Sequence, residues 1–416
     1  MDTLARRSWR SSRGLWALVA LGLTVVLGAC ASDDGDGDEA ATTTQAPAEV
    51  GVEDFAWTEI NGDAPWAPRA GLHAVELDGR FLLMGGRTPN DSDIPGDSQI
   101  WGDVWASDDE GATWEEIRSG DEPGHWPARA YFQAVELEGY VYVLGGQDFS
   151  VVDNPGCAFV EGPCPPQVST SQFFNDVWRS QDGVEWEQMT EAAPWEGRAG
   201  LRAVAYDDQL WIFGGSTNDD SAIVGPAGPE RIYFNDVWRS TDGADWEQVT
   251  ASAPWEPRAG AVVVEKDDAM YLLGGEDGFT CTPLPDCEPP YFNDVWRSVD
   301  GADWELVTDS AGWSPRPGHQ CAVVDDQFVC FGGFGLNGNP IDVWASEDGA
   351  DWTELDDPPW KAVGPEAIKY DFEAFAVAAD NAVYTFGGDR ETFDFDDPEN
   401  YRRVDNDVWR FGPPDR

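Results

Sequence analysis

One pattern recurs six times along this chain and constrains what it can fold into. A Trp is followed, usually three residues later, by Arg; an apolar stretch and a Gly-Gly pair come next, then Asp-Val-Trp and a further Trp. The Gly-Gly pairs are Gly85-Gly86, Gly145-Gly146, Gly214-Gly215, Gly274-Gly275, Gly332-Gly333 and Gly387-Gly388. The Asp-Val-Trp copies end at Trp105, Trp178, Trp238, Trp296, Trp344 and Trp409. Self-similarity of this kind marks one supersecondary unit that cannot bury its faces alone and stacks on copies of itself. Most of the 22 Trp fall at three fixed places in the repeat, which makes them packing residues before anything else.

The fourth copy shows what the unit is. Ala259 to Glu265 is apolar, Asp267-Asp268 follows, and Met270 opens a second apolar run into Gly-Gly. Two short apolar runs divided by a two-residue acidic or Gly turn read as a β-hairpin. The other copies place Asp78-Gly79, Glu138-Gly139, Asp207-Asp208, Asp325-Asp326 and Asp380-Asn381 at this turn, always at the same distance before Gly-Gly. Such constant register suits a sheet buried on both faces, where a one-residue slip would turn every side chain over. Asp294 to Ser298, a turn through Gly301, and Asp303 to Val307 make a second hairpin. Each repeat is therefore expected to be a four-stranded antiparallel sheet, strands A to D, and a series of such units predicts an all-β, six-bladed β-propeller. The sixth copy stops after strand C, while Trp57 to Ile60 stands ahead of the first copy as an unassigned strand D. The N-terminal strand is expected to complete the last blade, which would close the ring and leave no bare edge.

The doubled Gly followed by Asn-Asp-Val-Trp and a second Trp resembles the Kelch repeat family, over residues 55–416. The stretch from Ser107 through Asp109 and Gly111 to Trp114 also resembles the Asp box of sialidase-type propellers, but the other copies, such as Ser240 to Trp246, are one residue shorter. This motif reads as a turn between strands C and D, in which the Asp side chain caps the turn and Gly takes the unusual backbone angles.

Ahead of the repeats, Arg6, Arg7, Arg10 and Arg13 precede an apolar run from Leu15 to Leu27. That is the shape of a signal peptide, and the run is short for a transmembrane helix. It ends Leu27-Gly28-Ala29-Cys30, which resembles the bacterial lipobox and implies cleavage after residue 29 and lipidation of Cys30. Two or more acyl chains would anchor the protein stably. The expected organisation is a signal peptide at 1–29, an acidic solvated tether at 30–54 too poor in large apolar residues to fold, and the propeller at 55–416. Localisation follows as the outside of a bacterial cell envelope.

Of seven Cys, the six other than Cys30 fall in three local pairs: Cys157/Cys164, Cys281/Cys287 and Cys321/Cys330. This usage fits disulfides in an oxidising compartment; metal ligation is the alternative, disfavoured by the lack of neighbouring His. Around a two-residue turn at Asp325-Asp326, Cys321 and Cys330 lie opposite one another as a non-hydrogen-bonded pair, with Cα atoms about 4.5 Å apart, within disulfide range. The net charge is −54 and would approach −57 without residues 1–29. Such a field excludes nucleic acid and anionic lipid headgroups as partners.

Candidate chemistry is sparse. The Arg of Trp-x-x-Arg recurs as Arg69, Arg129, Arg198, Arg258 and Arg316, while the sixth copy departs and offers Lys369. Each opens strand A, nearest the axis, so five guanidiniums are expected around one channel mouth. Two readings stand: a cationic ring that gathers an anionic ligand, or arginines paired with carboxylates of their own or a neighbouring blade. The resemblance implies that this position and the B–C loops form a binding face; those loops are long in blades 2 and 3 and short in blade 5. Trp101, in a loop and outside the pattern, is a candidate ligand contact; within the repeats Trp211 also lies outside it. Aspartates at Asp91 and Asp93, Asp219 and Asp220, and Asp394, Asp396 and Asp397 read as solvated charge, with calcium as the alternative; no other cofactor is implied. His73, His125 and His319 do not share a repeat position. No Ser/His/Asp set, phosphate loop or zinc spacing is present. The functional expectation is a lipid-anchored propeller that binds a protein or glycan. The alternative is an enzyme on the same scaffold acting on an anionic sugar, as a sialidase, epimerase or mutarotase would. What separates them is whether an acid/base pair of perturbed pKa lies beneath the ring.

Overall fold

A computed structural model describes residues 51–92, 94, 96–120, 122–154, 157, 166–217, 231–278, 290–335, 338–355, 369, 372–390 and 402–414 of the chain, within the compact unit Glu49–Arg416. The expectations for Cys30, the signal peptide, most of the tether, Cys164, Cys281, Cys287 and the aspartates at 93, 219–220 and 394–397 lie outside the described residues.

The described residues form an all-β, six-bladed propeller, with a single 3-10 turn at Val52–Asp54. Strands A of the six blades are His73–Leu77, Gln133–Leu137, Arg202–Tyr206, Val262–Lys266, His319–Val324 and Glu373–Val377. Every blade runs A-B-C-D, each strand antiparallel to the next. Blade 4 comprises Val262–Lys266, Ala269–Glu276, Tyr291–Ser298 and Glu305–Thr308. In blades 1–5 strands A and B meet at two-residue turns whose Asp residues hold left-handed angles, among them Asp207, Asp208, Asp267 and Asp268 at φ 50–57°; blade 6 departs from the expected two-residue turn at Asp380-Asn381, with residues 378–381 between the paired Val377 and Ala382. Asp tolerates this conformation better than most residues, and it matches the twist of a tight hairpin.

The ring closes as the sequence implies. The N-terminal strand Ala56–Asn61 pairs with Val404–Gly412, the C strand of blade 6, and supplies its missing fourth strand. Trp57 packs on Phe331 and Phe411 at ring separations of 5.2 and 4.8 Å.

Three repeated devices weld the blades. The second Gly of every Gly-Gly pair donates its N–H to the carbonyl of the residue opening strand A of the next blade, from Gly86 to Arg129 round to Gly388 to Arg69. A side chain on either Gly of the pair would collide. A Cβ on Gly274 would sit 2.6 Å from the His319 ring of the next blade, and one on Gly275 2.8 Å from the Ala259 carbonyl of its own blade, so the first Gly is required by the approach of blades and the second by the approach of strand A. The Asn before Asp-Val-Trp reaches forward as well: Asn175, Asn235 and Asn293 donate to the carbonyls of Ala193 and Trp195, Ala253 and Trp255, and Ala311 and Trp313, and Asn406 closes the circle on Ala64 and Trp66.

The Trp ahead of each Arg is buried and meets the strand-D Trp edge to face, as in Trp126–Trp186 at 5.9 Å and 87° and Trp255–Trp304 at 6.0 Å and 86°. The indole N–H groups of Trp66, Trp126, Trp195, Trp255 and Trp313 have no oxygen acceptor. The perpendicular partner ring offers its π face as a weak substitute. The C–D turn is the capped device expected: Gly243 N–H donates to Ser240 Oγ, Ala244 and Asp245 N–H donate to Asp242 Oδ1, and Trp246 Nε1 donates back to the Gly243 carbonyl.

Candidate functional site

The five arginines are the first place where a ligand was expected, and they are not open to one. Arg69, Arg129, Arg198, Arg258 and Arg316 are 0–2% exposed. Each forks onto the carboxylate of the Asp-Val-Trp Asp of its own blade. The Nη1 contacts to Asp103, Asp176, Asp236, Asp294 and Asp342 are 2.6–2.9 Å. The second guanidinium nitrogen takes the other carboxylate oxygen, as from Arg198 to Asp236 at 3.1 Å. The same Nη1 donates to the carbonyl of the first Gly of the pair, and Nε to the carbonyl two residues back. The Asp-Val-Trp indole also donates to the Asp, at 2.8 Å from Trp238. The ligand-binding assignment of this ring is thus corrected in favour of pairing with carboxylates. A buried guanidinium is tolerated only when its charge and donors are satisfied, and the whole motif is consumed in doing so.

Blade 6 solves the same problem with two shorter pieces. Lys369 is fully buried against Asp407, and Arg390 Nη2 reaches the other oxygen of Asp407 at 3.1 Å. Trp101 likewise has a structural place. It lies two residues before Asp103, where Phe174, Phe234 and Phe292 stand before their own aspartates, and it covers Arg69 with 4.7 Å from guanidinium carbon to ring centroid. Its Nε1 donates to Thr88 Oγ1. Trp211 is core, 2% exposed. Asp91 pairs with Arg402 in an exposed contact.

The B–C loops rise on the face where these arginines begin strand A. Arg87–Pro89 pairs with Ser98–Ile100, Gln147–Asp153 with Gln167–Phe173, and Ser216–Thr217 with Ile232–Tyr233. Beneath them, Tyr131 N–H donates to Gly71, Gly200 to Tyr131, Gly260 to Gly200 and Gly318 to Gly260. This is a collar of peptide groups around the axis. Its positions are Gly with φ near +60°, apart from Tyr131, which holds φ 55°. Tyr131 accepts a hydrogen bond from Arg87 Nε at 2.5 Å, and Arg87 pairs with Asp389. A bulky residue in the left-handed region is uncommon and stored where surroundings over-determine it.

Inside the collar lies a group that the sequence reading missed. Two positions further along strand A than the collar residues stand His73, Gln133, Arg202, Val262, Gln320 and Glu373. Five of them turn the axis polar. Arg202 Nη2 donates to Gln320 Oε1 at 2.5 Å, Gln320 Nε2 donates to the Phe372 carbonyl, and Ala203 N–H donates to Gln133 Oε1. His73 Nε2 and Glu373 Oε2 are 3.4 Å apart, both residues 6% exposed. Burial pushes the Glu373 carboxyl up to about 8 against the opposing pull of Arg202. Burial, reinforced by Arg202, takes His73 down to about 3. His319 is one position earlier in its strand, against Trp313, and burial with Arg316 and Arg202 also takes it to about 3. His125 lies elsewhere, edge-on to Trp126. The signal for this cluster was available: polar residues at one fixed interval after the Arg, inside an otherwise apolar strand.

Cys321 and Cys330 are cross-strand partners and are joined by a disulfide, with Cα atoms 4.1 Å apart. Cys157 is disulfide-bonded too.

A family model described as the KLHDC2/KLHL20/DRC7 Kelch-repeats domain matches residues 167–333, which take in blades 3 and 4 and parts of 2 and 5. Among curated proteins, the flagellar outer-arm dynein alpha chain of Chlamydomonas reinhardtii is 27% identical over 192 residues, 43% of this chain. The match spans 4% of that protein's length. Among solved structures, that of YjhT is similar with a TM-score of 0.57 at 15% identity, covering 84% of this chain and 96% of the other. The last likeness concerns the fold alone.

Proposed function

We propose, from the premise that the chain is a Kelch-repeat β-propeller, that it is a binding module displayed outside the cell. In this reading Cys30 carries the lipid, the acidic tether follows, and the B–C loop face meets a protein or glycan. The observation that carries it is the distribution of exposed apolar side chains. Val151, Val152, Ile232 and Ile341 stand 38–45% exposed, all of them on B–C loops of one face. Among the described residues only Val299 and Leu306 join them in that class from elsewhere. Exposed apolar residues carry information when they gather on one surface, where they favour an interaction site. The chain path supports the orientation. Ala56 pairs with Gly412 at the end of the blade carrying the A–B turns, so this strand begins on the face opposite the B–C loops.

The arginine ring itself is closed to an anionic sugar, because those guanidiniums are taken by aspartates; the perturbed pair His73 and Glu373 beneath the collar is what keeps an enzyme on the same scaffold as the alternative reading. The test compares the wild-type protein with a Val151→Asp/Ile232→Asp variant on a glycan array and in cross-linking to surface proteins of whole cells, with thermal unfolding as a control. Binding that disappears in a variant of unchanged melting temperature supports the reading. Binding that is indifferent to the loop substitutions would refute it.

A further inference from the structure

The channel along the ring axis is divided. At the loop end the collar and the polar side chains beneath it enclose a cavity of only about 70 Å3. On the other side of the same polar side chains, strands A surround a chamber of about 310 Å3, walled by Val204, Val262, Val264, Ala322, Ala374 and Phe375. His73, Gln133, Gln320 and Glu373, at its inner end, are buried. Val264, Val323, Phe375 and Ala376 are partly exposed and Glu265 is exposed, so the chamber opens on the face of the A–B turns, opposite the loop face.

We propose that this chamber binds a short monocarboxylate whose far end is uncharged or cationic, with the carboxylate on Arg202 and His73 and the hydrocarbon against the valines. The inference does not depend on the loop-face reading.

The floor argues for the head group. Arg202 is the one cationic side chain among the described residues that line the chamber. Gln320 and Gln133 are committed to neighbours and hold the floor in place. Neither ring nitrogen of His73 makes a well-aligned hydrogen bond, the nearest carboxylate oxygen being Glu373 Oε2 at 3.4 Å, although the residue is 6% exposed. A buried polar group left in that state demands an explanation. Glu373, held neutral at pH 7 by its burial, is a donor rather than a repelling charge. Guanidinium, imidazole N–H and a neutral carboxylic acid together match an oxyanion, and a planar guanidinium matches a carboxylate in shape.

The walls argue against a sugar. Hydroxyl groups placed against Val262, Val264, Ala322 and Phe375 would lose hydrogen bonds to water without replacement. An aliphatic or aromatic body gains roughly 0.8 kcal/mol per buried methylene.

The rim decides the far end. Glu265 stands at the opening, Glu76 and Glu136 hold the same strand position in blades 1 and 2, and burial together with neighbouring carboxylates raises the pKa of Glu76 and of Glu265. Groups that already repel one another disfavour a second negative charge and accept a positive one, within a screening distance of about 8 Å at physiological salt.

Isothermal titration at pH 7 with hexanoate, 6-aminohexanoate, adipate and hexylamine tests this. Hexanoate and 6-aminohexanoate are expected to bind, adipate at least roughly tenfold more weakly, and hexylamine without measurable heat; a tenfold difference is the smallest that would assign the rim a role. Arg202→Gln should weaken hexanoate by a similar factor. Val264→Trp fills the chamber from a partly exposed position, so it should abolish binding with the melting temperature kept, and it carries the test should Arg202→Gln unfold. Hexylamine binding as tightly as hexanoate, adipate binding equally, hexanoate surviving Val264→Trp, or no heat from any probe would each overturn the proposal.

Discussion

Replacing Glu373 by Gln should stabilise the protein, and by an amount that grows with pH. The side chain is 6% exposed and its carboxyl titrates near 8, against 4.5 in an unfolded chain. A pKa raised on folding contributes stability that is present in full below the unfolded value and is lost as the pH climbs through the folded one. From pH 4.5 to 8 the folded state therefore forfeits about 1.4 kcal/mol per pH unit, approaching 5 kcal/mol as an upper bound. His73 and His319 work in the opposite sense. Their folded values near 3 lie below the ordinary 6.5, so their contribution is present above pH 6.5 and is lost as the pH falls. Between pH 6.5 and 8 only the Glu373 slope remains among these three, and wild-type stability should decline across that window. Below pH 6.5 the two histidines, together losing about 2.7 kcal/mol per unit, outweigh it and stability should fall again. Glu373→Gln keeps the shape and the neutral hydrogen-bonding capacity of the protonated acid. It should abolish the decline and exceed wild type by about 2–5 kcal/mol at pH 9. Urea unfolding followed by Trp fluorescence at pH 5.5, 6.5, 8 and 9 measures this. A difference between variant and wild type that is the same at pH 5.5 and pH 9 would refute the reasoning, because it would mean that Glu373 is ionised in the folded state throughout.

Arg198→Met strands the Asp236 carboxylate beside an apolar side chain and should cost about 3–5 kcal/mol in urea unfolding; a loss below about 1 kcal/mol would show that the buried fork is not a folding requirement. Deleting residues 51–61 bares the outer edge of the strand Val404–Gly412. The expected product is less stable and self-associates through that edge, as light scattering would report; a monomer as stable as the parent would show that ring closure needs no fourth strand in blade 6.

The fold was legible because its demands fall on backbone geometry that repeats. Gly274-Gly275 must be Gly because the next blade at the first and the blade's own strand A at the second leave no room for a Cβ, and Cys321 and Cys330 are paired by counting outward from a turn. The closing strand could be found by noticing that blade 6 lacked one. The arginines were legible as a ring but not as to use. A linear sequence shows that Arg198 and Asp236 both recur, yet their mutual distance of 2.6 Å depends on the separation of strands A and C in three dimensions. Trp101 misled for a related reason: its structural equivalents are Phe, so a search for repeated Trp placed it outside the pattern.

The channel cluster was missed because it is not a motif. The framework positions of strand A are nearly uniform: Arg at its start in five blades, Ala after it in four, Gly at the collar in four of the five described. Two residues beyond the collar the series is His73, Gln133, Arg202, Val262, Gln320 and Glu373, all facing one another across the axis. Six copies of one unit place six side chains at equivalent points, and if packing alone governed that point the residues would be alike, as the valines and alanines deeper in the strand are. Five different residue types at one position around the axis therefore point to a requirement of the assembled ring, where only their sum is read. Stability does not supply it, since Glu373 and His73 both hold pKa values displaced by burial in the direction that opposes their charge. Groups kept at such a disadvantage are functional candidates on physical grounds. In a repeat protein the search for a site accordingly begins where the repeat breaks at a buried position, and here that is the floor of the chamber.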